Sequence, residues 1–498
     1  MLLAAVAVPV LAGLWLVAAG RGLSRRAALD AALLVALASA GLLAAAMWFG
    51  DSFDRAWISA IGIRLSLGID GISAPLLVLT TVIGLLVVVL ARSHTPAGGA
   101  PATYLGAVLI ATGGALATFA ARDAVVFFIA FELVLIPVWL LIHRFGDPHD
   151  ENARRDAGLR FVLFTVSGSV LMLVGILALV SAAGTSSLDE LVAAGATLPL
   201  GTQTLVAVLL VAGLAVKVPV FPLHTWLPAA HTTAPTGGSV ILAAILLKMG
   251  TYGLVRLPVA SVPDGFGRIA PVLAVLAAIG IVWGGLVCLV EVEAKRLIAY
   301  SSVAHMGFVT LALASGTEVG VQAALIGNIA HGVVSALLFV VIGGLKERWG
   351  AVRFDRPLPA LREHAPRLGF VLILGLAAAL GLPGLAAFWG EFMAIYAAWT
   401  SPLGPGLLLK VCAALAALGA VLAAAYALRV ARLLWVGETD EPAIPTAADG
   451  SREGVQTETL GSERLVLTVL VLAVVAIGIA PHLVWSVTAE DVRVVMTR

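Results

Sequence analysis

Apolar runs of about 20 residues, the length that crosses a bilayer core, alternate along this chain with short polar or Pro/Gly-rich breaks. The pattern predicts fourteen membrane helices, α1 to α14 in chain order. They cover residues 1–20, 28–50, 70–91, 102–121, 123–143, 159–183, 203–228, 237–258, 268–291, 297–315, 319–344, 368–400, 406–436 and 464–487. No positive charge precedes the first run and Arg21, Arg25 and Arg26 follow it, the reverse of a signal peptide, so it reads as a retained helix.

Two stretches depart from the pattern. Ile61, Ile63, Leu65, Leu67 and Ile69 alternate with Gly62, Arg64, Ser66, Gly68 and Asp70, a period of two that predicts an exterior β-hairpin or extended segment near 57–71. Residues 438–463, polar and acidic with two prolines, read as a solvated cytoplasmic loop.

Two of the apolar runs carry helix breakers. Pro219 and Pro222 follow Lys217 in α7, and Gly381, Pro383 and Gly384 precede Glu391 in α12. Proline removes a donor and frees the carbonyl four residues back, so each run is expected to be a broken helix. Matching interruptions five helices apart predict a repeated unit, α4–α8 and α9–α13. An odd number of spans per unit makes the two repeats inverted, as in many secondary transporters. The expected organisation is 1–101 for α1–α3 with the exterior hairpin, 102–258 for the first repeat, 268–436 for the second, and 437–498 for the loop and α14. No separate soluble domain is expected.

Composition agrees and adds exclusions. Charged residues are 12% and hydrophobic ones 61% of the 498 residues, against about 25% and 45–50% in ordinary globular domains. Mean hydropathy is +1.06. So few charges cannot cover a water-facing surface of this size, which excludes a secreted disulfide scaffold and a disordered tail. A net charge of +1 leaves no basic field for nucleic acid. Cys288 and Cys412 lie inside apolar runs as small buried hydrophobes. Loops after odd-numbered helices hold twenty Lys and Arg and the opposite side seven, which predicts both termini on the exterior.

The charges inside the spans carry the chemistry. The chain has 25 arginines and five lysines, yet its three intramembrane cations are Lys217, Lys248 and Lys410. A buried Lys can give up its proton and Arg effectively never does, which favours a proton carrier over a fixed countercharge. Glu132 sits nine residues past Asp123, about 13 Å into the bilayer at about 1.5 Å per residue, and Glu391 lies just beyond the α12 break. Either carboxyl could also serve as a neutral hydrogen-bonded acid holding helices together. His305 has Ser301 one turn back, His331 has Asn328 and Ser335 on its face, and Lys248 has Thr251 and Tyr252. Ionisable groups at mid-depth in separate helices, joined by small polar side chains, are what a hydrated proton path requires.

The segments FFIAFELVLIPVW, VKVPVFPLHTWLPAAHTTAPTGGSVILAAILLKMGTYGLVR, KRLIAYSSVAHMGF, NIAHGVVSALLF and LPGLAAFWGEF closely resemble the antiporter-like membrane subunits of respiratory complex I, the proton-pumping NADH:quinone oxidoreductase. The resemblance runs with gaps from the DGIS segment at 70–73 to the end of α13. Glu391 stands where other types of such subunit usually carry Lys, and 498 residues leave no room for the long lateral helix of the L type, so the chain resembles the M type, the mitochondrial subunit 4 counterpart.

The resemblance implies roles residue by residue. Glu132 matches the α5 glutamate that pairs with the broken-helix lysine, here Lys217. Lys248 matches the central lysine, His305 and His331 the α10 and α11 histidines of the axis, and Glu391 the terminal group. Lys410 matches no motif residue and is expected to reach toward the exterior face. The resemblance also implies no cofactor in this chain, with flavin (FMN), iron–sulfur clusters and quinone in partner subunits. Implied partners are other membrane subunits of the complex, especially an antiporter-like subunit on either side, and the lipid of a bacterial cytoplasmic membrane. The competing class is a subunit of a multi-subunit cation/proton antiporter or membrane-bound hydrogenase, which shares the fold and most motifs.

Overall fold

The computed structural model describes residues 1–94, 96, 100–404, 406–437, 459 and 461–497. The solvated loop expected at 438–463 lies almost wholly outside these residues. The chain is helical throughout, with one two-stranded sheet among the described residues.

The fourteen expected spans are present. In the first repeat and before it they are α1 Leu2–Ala19, α2 Arg25–Phe49, α3 Ala74–Leu90, α4 Pro101–Ala120, α5 Ala124–His143, α6 Glu151–Ala183, α7 Leu200–Lys217 continued by Trp226–Thr233, and α8 Thr236–Val259. The second half supplies α9 Pro263–Val290, α10 Ala294–Ala314, α11 Glu318–Trp349, α12 Pro366–Ala379 continued by Ala387–Thr400, α13 Gly406–Val436 and α14 Gly461–Ile479. Twelve runs are long and apolar enough to cross a bilayer, and α3 and the first part of α12 are shorter apolar helices. The expected breaks of α7 and α12, one in each of the two inverted five-helix repeats, α4–α8 and α9–α13, are present. Buried and lipid-facing helices separate clearly: α4, α8, α10 and α11 are almost entirely enclosed, whereas α6 and α13 turn Leu163, Val170, Leu177, Leu407 and Val421 outward.

Each break has a local cause and a local remedy. In α7 the Val220 N–H bonds Ala215 O, and the carbonyl of Val216 accepts the indole N–H of buried Trp226 at 3.0 Å. In α12 the chain turns through Gly381 (φ 73°) and Gly384 (φ 89°), a conformation open to glycine at little cost. A third interruption, not expected from the sequence, divides α5 at Val134. Pro137 cannot bond the Leu133 carbonyl, and the interruption falls two residues after Glu132. Two π-helical turns, Leu242–Leu246 and Val255–Val259, flank Lys248 in α8. Such wide turns leave carbonyls free for side chains.

The expected hairpin forms about four residues early. β1 Phe53–Ile58 pairs antiparallel with β2 Ile63–Leu67, with a register shift between Ala56 and Ile58. β1 is exposed along most of its length, so it carries no alternation to read. The single helix expected over 464–487 is also two: α14 ends at Ile479, and a separate helix, His482–Met496, follows Pro481. That last helix lies against the starts of α3 and α11, with Asp491 accepting from Gly71 N at 2.5 Å and Thr488 donating to Gln322 at 2.5 Å. The Met1 ammonium meets Asp51, between α2 and the hairpin, at 2.7 Å. Both termini therefore lie on the face that carries the hairpin.

Candidate functional site: a buried polar axis

Four of the singled-out residues form one contiguous line through the most enclosed helices. Lys248 on α8, fully buried, places Nζ 2.6 Å from Ala243 O, a carbonyl of the adjoining π-turn, and 2.5 Å from His331 Nδ1 on α11. The His331 ring stands 5.8 Å, centroid to centroid, from the ring of His305 on α10. His305 Nδ1 lies 2.8 Å from Glu391 Oε1 on the second part of α12. A small cavity of ≈ 20 Å³ adjoins His331, His305 and Glu391, lined by Ser301, Ser302 and Ser335 together with apolar side chains. It has room for about one bridging water.

Small polar groups brace the line. Thr251 Oγ1 donates to Asn328 Oδ1 at 2.9 Å, tying α8 to α11, and Tyr252 OH donates to Phe119 O at 2.9 Å, tying α8 to α4. The backbones of α11 and α12 touch at Gly327 and Gly390, where a Cβ on Gly390 would stand 2.7 Å from Gly327 Cα. This contact lies one turn before His331 and one residue before Glu391.

The other two expected residues sit apart. Lys217 is 3% exposed at the end of the first part of α7. Its Nζ has no hydrogen-bond partner and rests 4.5 Å from the centroid of the Phe131 ring. Glu132 is half-buried and accepts from Ser169 Oγ on α6. The expected Glu132–Lys217 pair is therefore open. The local geometry fits this: Glu132 is the penultimate residue of the first part of α5, Ala124–Leu133, and Phe131, its neighbour, presents the ring that meets the ammonium. α8 approaches the α7 break closely, since a Cβ on Gly250 would lie 2.8 Å from Val218 Cγ2 and 3.2 Å from Lys217 Cβ. Lys410 is exposed in the first turns of α13, with Nζ 5.8 Å from the Trp399 ring, off the axis.

Sequence reasoning overlooked several buried ionisable groups. Arg256, counted with the loop charges, is buried in α8 and paired with Asp70, which Arg122 also meets at 2.6 Å. Burial pushes the Asp70 carboxyl up, but Arg256 and Arg122 outweigh it and hold it well below the usual carboxylate range. Lys295, likewise counted as a loop cation, is 3% exposed at the start of α10 and donates to Ala234 O. His231, on the second part of α7, is fully buried against the Phe339 ring, with both ring nitrogens unpartnered. Arg256 lies eight residues after Lys248 and four after Tyr252, on the same helical face, a spacing that marks it. Lys295 and His231 carry no comparable signal. Among the described residues no group of three His, Cys, Asp or Glu is placed to hold a metal ion.

Residues 121–417 match the family described as NADH:quinone oxidoreductase/Mrp antiporter, TM. The chain is 34% identical over 459 residues to NAD(P)H-quinone oxidoreductase chain 4 of Trichormus variabilis, covering 90% of this chain and 83% of that one. It is 35% identical over 450 residues to NADH-quinone oxidoreductase subunit M of Rhodobacter capsulatus, covering 88% and 83%. A chain of respiratory complex I from Thermus thermophilus with bound NADH superposes with a TM-score of 0.86 at 29% identity, covering 100% and 99% of the two chains. A chain of the Mrp complex from Dietzia sp. shares the fold at 22% identity, with a TM-score of 0.84 and coverage of 99% and 97%.

Proposed function

The chain belongs to the NADH:quinone oxidoreductase/Mrp antiporter family of membrane subunits, and from that premise we propose that it is the M-type, proton-translocating subunit of the membrane arm of NADH:quinone oxidoreductase. One observation carries the reading furthest: the line Lys248, His331, His305, Glu391, hydrogen-bonded at both ends and stepped by 5.8 Å between the two imidazole rings, inside the most enclosed helices of the bundle. A non-transporting scaffold has no use for a buried lysine against a buried histidine, because each such group costs several kcal/mol to desolvate.

In this mechanism Lys217 and Glu132 receive the coupling signal, and Lys248, His331, His305 and Glu391 pass the proton on. With Glu132 on Ser169, the Lys217 ammonium makes no hydrogen bond to it and passes its proton toward Lys248 in this mechanism. Return of Glu132 to Lys217 resets the pair. Lys248 Nζ hands a proton to His331 Nδ1, a water in the cavity carries it to His305, and Glu391 releases it to the exterior. Moving one proton outward costs about 2.3 kcal/mol per 100 mV, supplied by quinone reduction elsewhere in the complex. Flavin, iron–sulfur clusters and quinone belong to partner subunits in this reading, and an antiporter-like subunit flanks the chain on either side.

The setting is the bacterial cytoplasmic membrane with both termini exterior, supported by the excess of Lys and Arg on the face opposite the termini, which persists when buried Lys295 and Arg256 are left out. The units are 1–101, 102–258, 268–436 and 437–498. The 30%-or-higher identity to chain 4 and subunit M sequences favours this reading over a cation/proton antiporter. The test is purification and reconstitution of the complex containing the chain, with protons pumped per NADH as the readout. Co-purifying NADH- and quinone-binding chains and loss of pumping in Lys217→Arg are expected. Wild-type pumping by Lys217→Arg overturns the relay, and a set of small antiporter subunits in place of the redox chains overturns the assignment.

A further inference from the structure

The face opposite the termini carries a second cluster of charges, buried at His94 and Glu463 and open to solvent at Glu347, that the axis does not use. His94, just beyond α3, is 6% exposed. Its Nδ1 contacts Glu347 Oε2 at the end of α11, and its Nε2 faces Glu463 Oε1 at the start of α14 across 3.5 Å. Glu463, fully buried, is also paired with Arg348 of α11. Beside this pair, Ser462 Oγ donates to Ser93 Oγ at 2.6 Å. The second Glu347 oxygen accepts from Thr236 Oγ1 at 2.8 Å, at the start of α8. One imidazole thus joins the ends of α3, α11 and α14, and through Glu347 reaches α8.

Glu347 is also in the wall of an open cavity of ≈ 430 Å³, lined by Asp147, His149, Lys295 and Lys346. A Lys346–Asp147 bridge of 2.6 Å lies at its side, and the buried Lys295 ammonium, held by Ala234 O, lines it too. Burial pushes His94 down, but Glu347 and Glu463 outweigh it and bring it up to about 9. At neutral pH the ring is therefore an imidazolium between two carboxylates, one of which Arg348 also serves. A neutral imidazole has a single N–H. It can serve only one of the two carboxylates, and the other then faces a lone pair.

We propose that His94 is a positioning residue for proton uptake: as an imidazolium it clamps Glu347 and Glu463 together and holds the Glu347 carboxylate in the wall of the cavity that leads to Lys295, and this cavity admits protons from that face. The proposal rests on the translocation reading above. The groups that set the clamp are Glu347, Lys346 and Arg348 from α11, Glu463 from α14 and Lys295 from α10; Arg92, on the His94 segment, is paired away with Asp30. A pKa raised by folding makes the contact complete at pH 7 and removes it as the pH rises through about 9.

The test uses the reconstituted complex, varying pH on the face that carries the cavity, with His94→Gln, His94→Lys and Glu347→Gln. Protons pumped per NADH are expected to fall in the wild type as the pH passes about 9. His94→Lys keeps its charge and is expected to retain pumping to higher pH. His94→Gln and Glu347→Gln are expected to be low already at pH 7. Identical pH profiles in wild type, His94→Lys and His94→Gln overturn the proposal. A second readout is cross-linking of Ser93→Cys with Ser462→Cys, compared at each pH with the same pair carrying His94→Lys, which cancels the thiol titration. Slower cross-linking of the His94 form above pH 9 is expected, and equal rates throughout overturn the clamp. Because cross-linking needs no turnover, failure of the clamp is distinguishable from failure of the translocation reading.

Discussion

Lys248 Nζ and His331 Nδ1 stand 2.5 Å apart in the core, and only one proton fits between two nitrogens at that separation. The pair therefore holds at most one positive charge, and when charged it is either an ammonium against a bare Nδ1 or an imidazolium against a neutral amine. A proton can change residue here without any charge being added to the interior. This is the cheapest form of transfer in a medium where each extra buried charge costs several kcal/mol.

Lys248→Arg keeps a cation opposite His331 but fixes it, because guanidinium does not deprotonate. The pumped proton flux is expected to fall about tenfold or more, the counterpart of about 1.4 kcal/mol on the transfer step. Proton uptake into proteoliposomes alongside the NADH oxidation rate checks it. Unchanged protons per NADH would remove Lys248 from the path.

Ser169→Ala withdraws the hydroxyl that holds Glu132 away from Lys217. The lost hydrogen bond is worth about 1 kcal/mol, which moves Glu132 toward Lys217 and slows release of its proton by about five-fold. Ser169→Thr keeps a donor and is expected to behave as wild type. The comparison of the two variants in steady-state pumping is the measurement.

Trp226→Phe keeps the aromatic contact with Phe161, at 5.5 Å between centroids, but removes the N–H that serves the Val216 carbonyl at the α7 break. An unserved buried carbonyl costs about 1–3 kcal/mol. A lower unfolding temperature of the purified complex and reduced pumping are expected together, since Lys217 is the next residue. A variant as stable as wild type would mean that another group reaches that carbonyl.

Asp70→Asn leaves Arg256 buried without its carboxylate and is expected to cost about 3 kcal/mol. The sign with pH follows from the depressed carboxyl: its contribution is full above the ordinary carboxylate range and is lost as the pH falls below about 4. Stability measured from pH 7 to 3 should drop more steeply in wild type than in Asp70→Asn.

Much of the architecture was legible because a bilayer imposes a length and forbids unpaired backbone, so each span, and the breaks at Pro219 and Gly381–Gly384, show in one dimension. The axis residues stood out for the same reason, as exceptions to apolarity. What was not legible depends on position in space. Arg256 and Lys295 lie within a turn or two of helix ends and counted as loop cations, yet neighbouring elements cover both. The α5 break arises from one proline, Pro137, in a run otherwise indistinguishable from a straight helix. Whether Glu132 meets Lys217 or Ser169 is a matter of side-chain direction, which no spacing encodes. The first hairpin strand is exposed on both faces and leaves no alternation, and the division of the last span follows from Pro481.

The Gly327–Gly390 contact sets where motion can occur. With α11 and α12 in backbone contact beside His331 and Glu391, neither helix has room to slide or lean closer, so the far end of the path keeps a fixed gauge. Glu391 is thus held between this fixed contact on one side and the Gly381–Gly384 turn of α12 on the other, so its carboxyl has an anchor and a hinge within a few residues of each other.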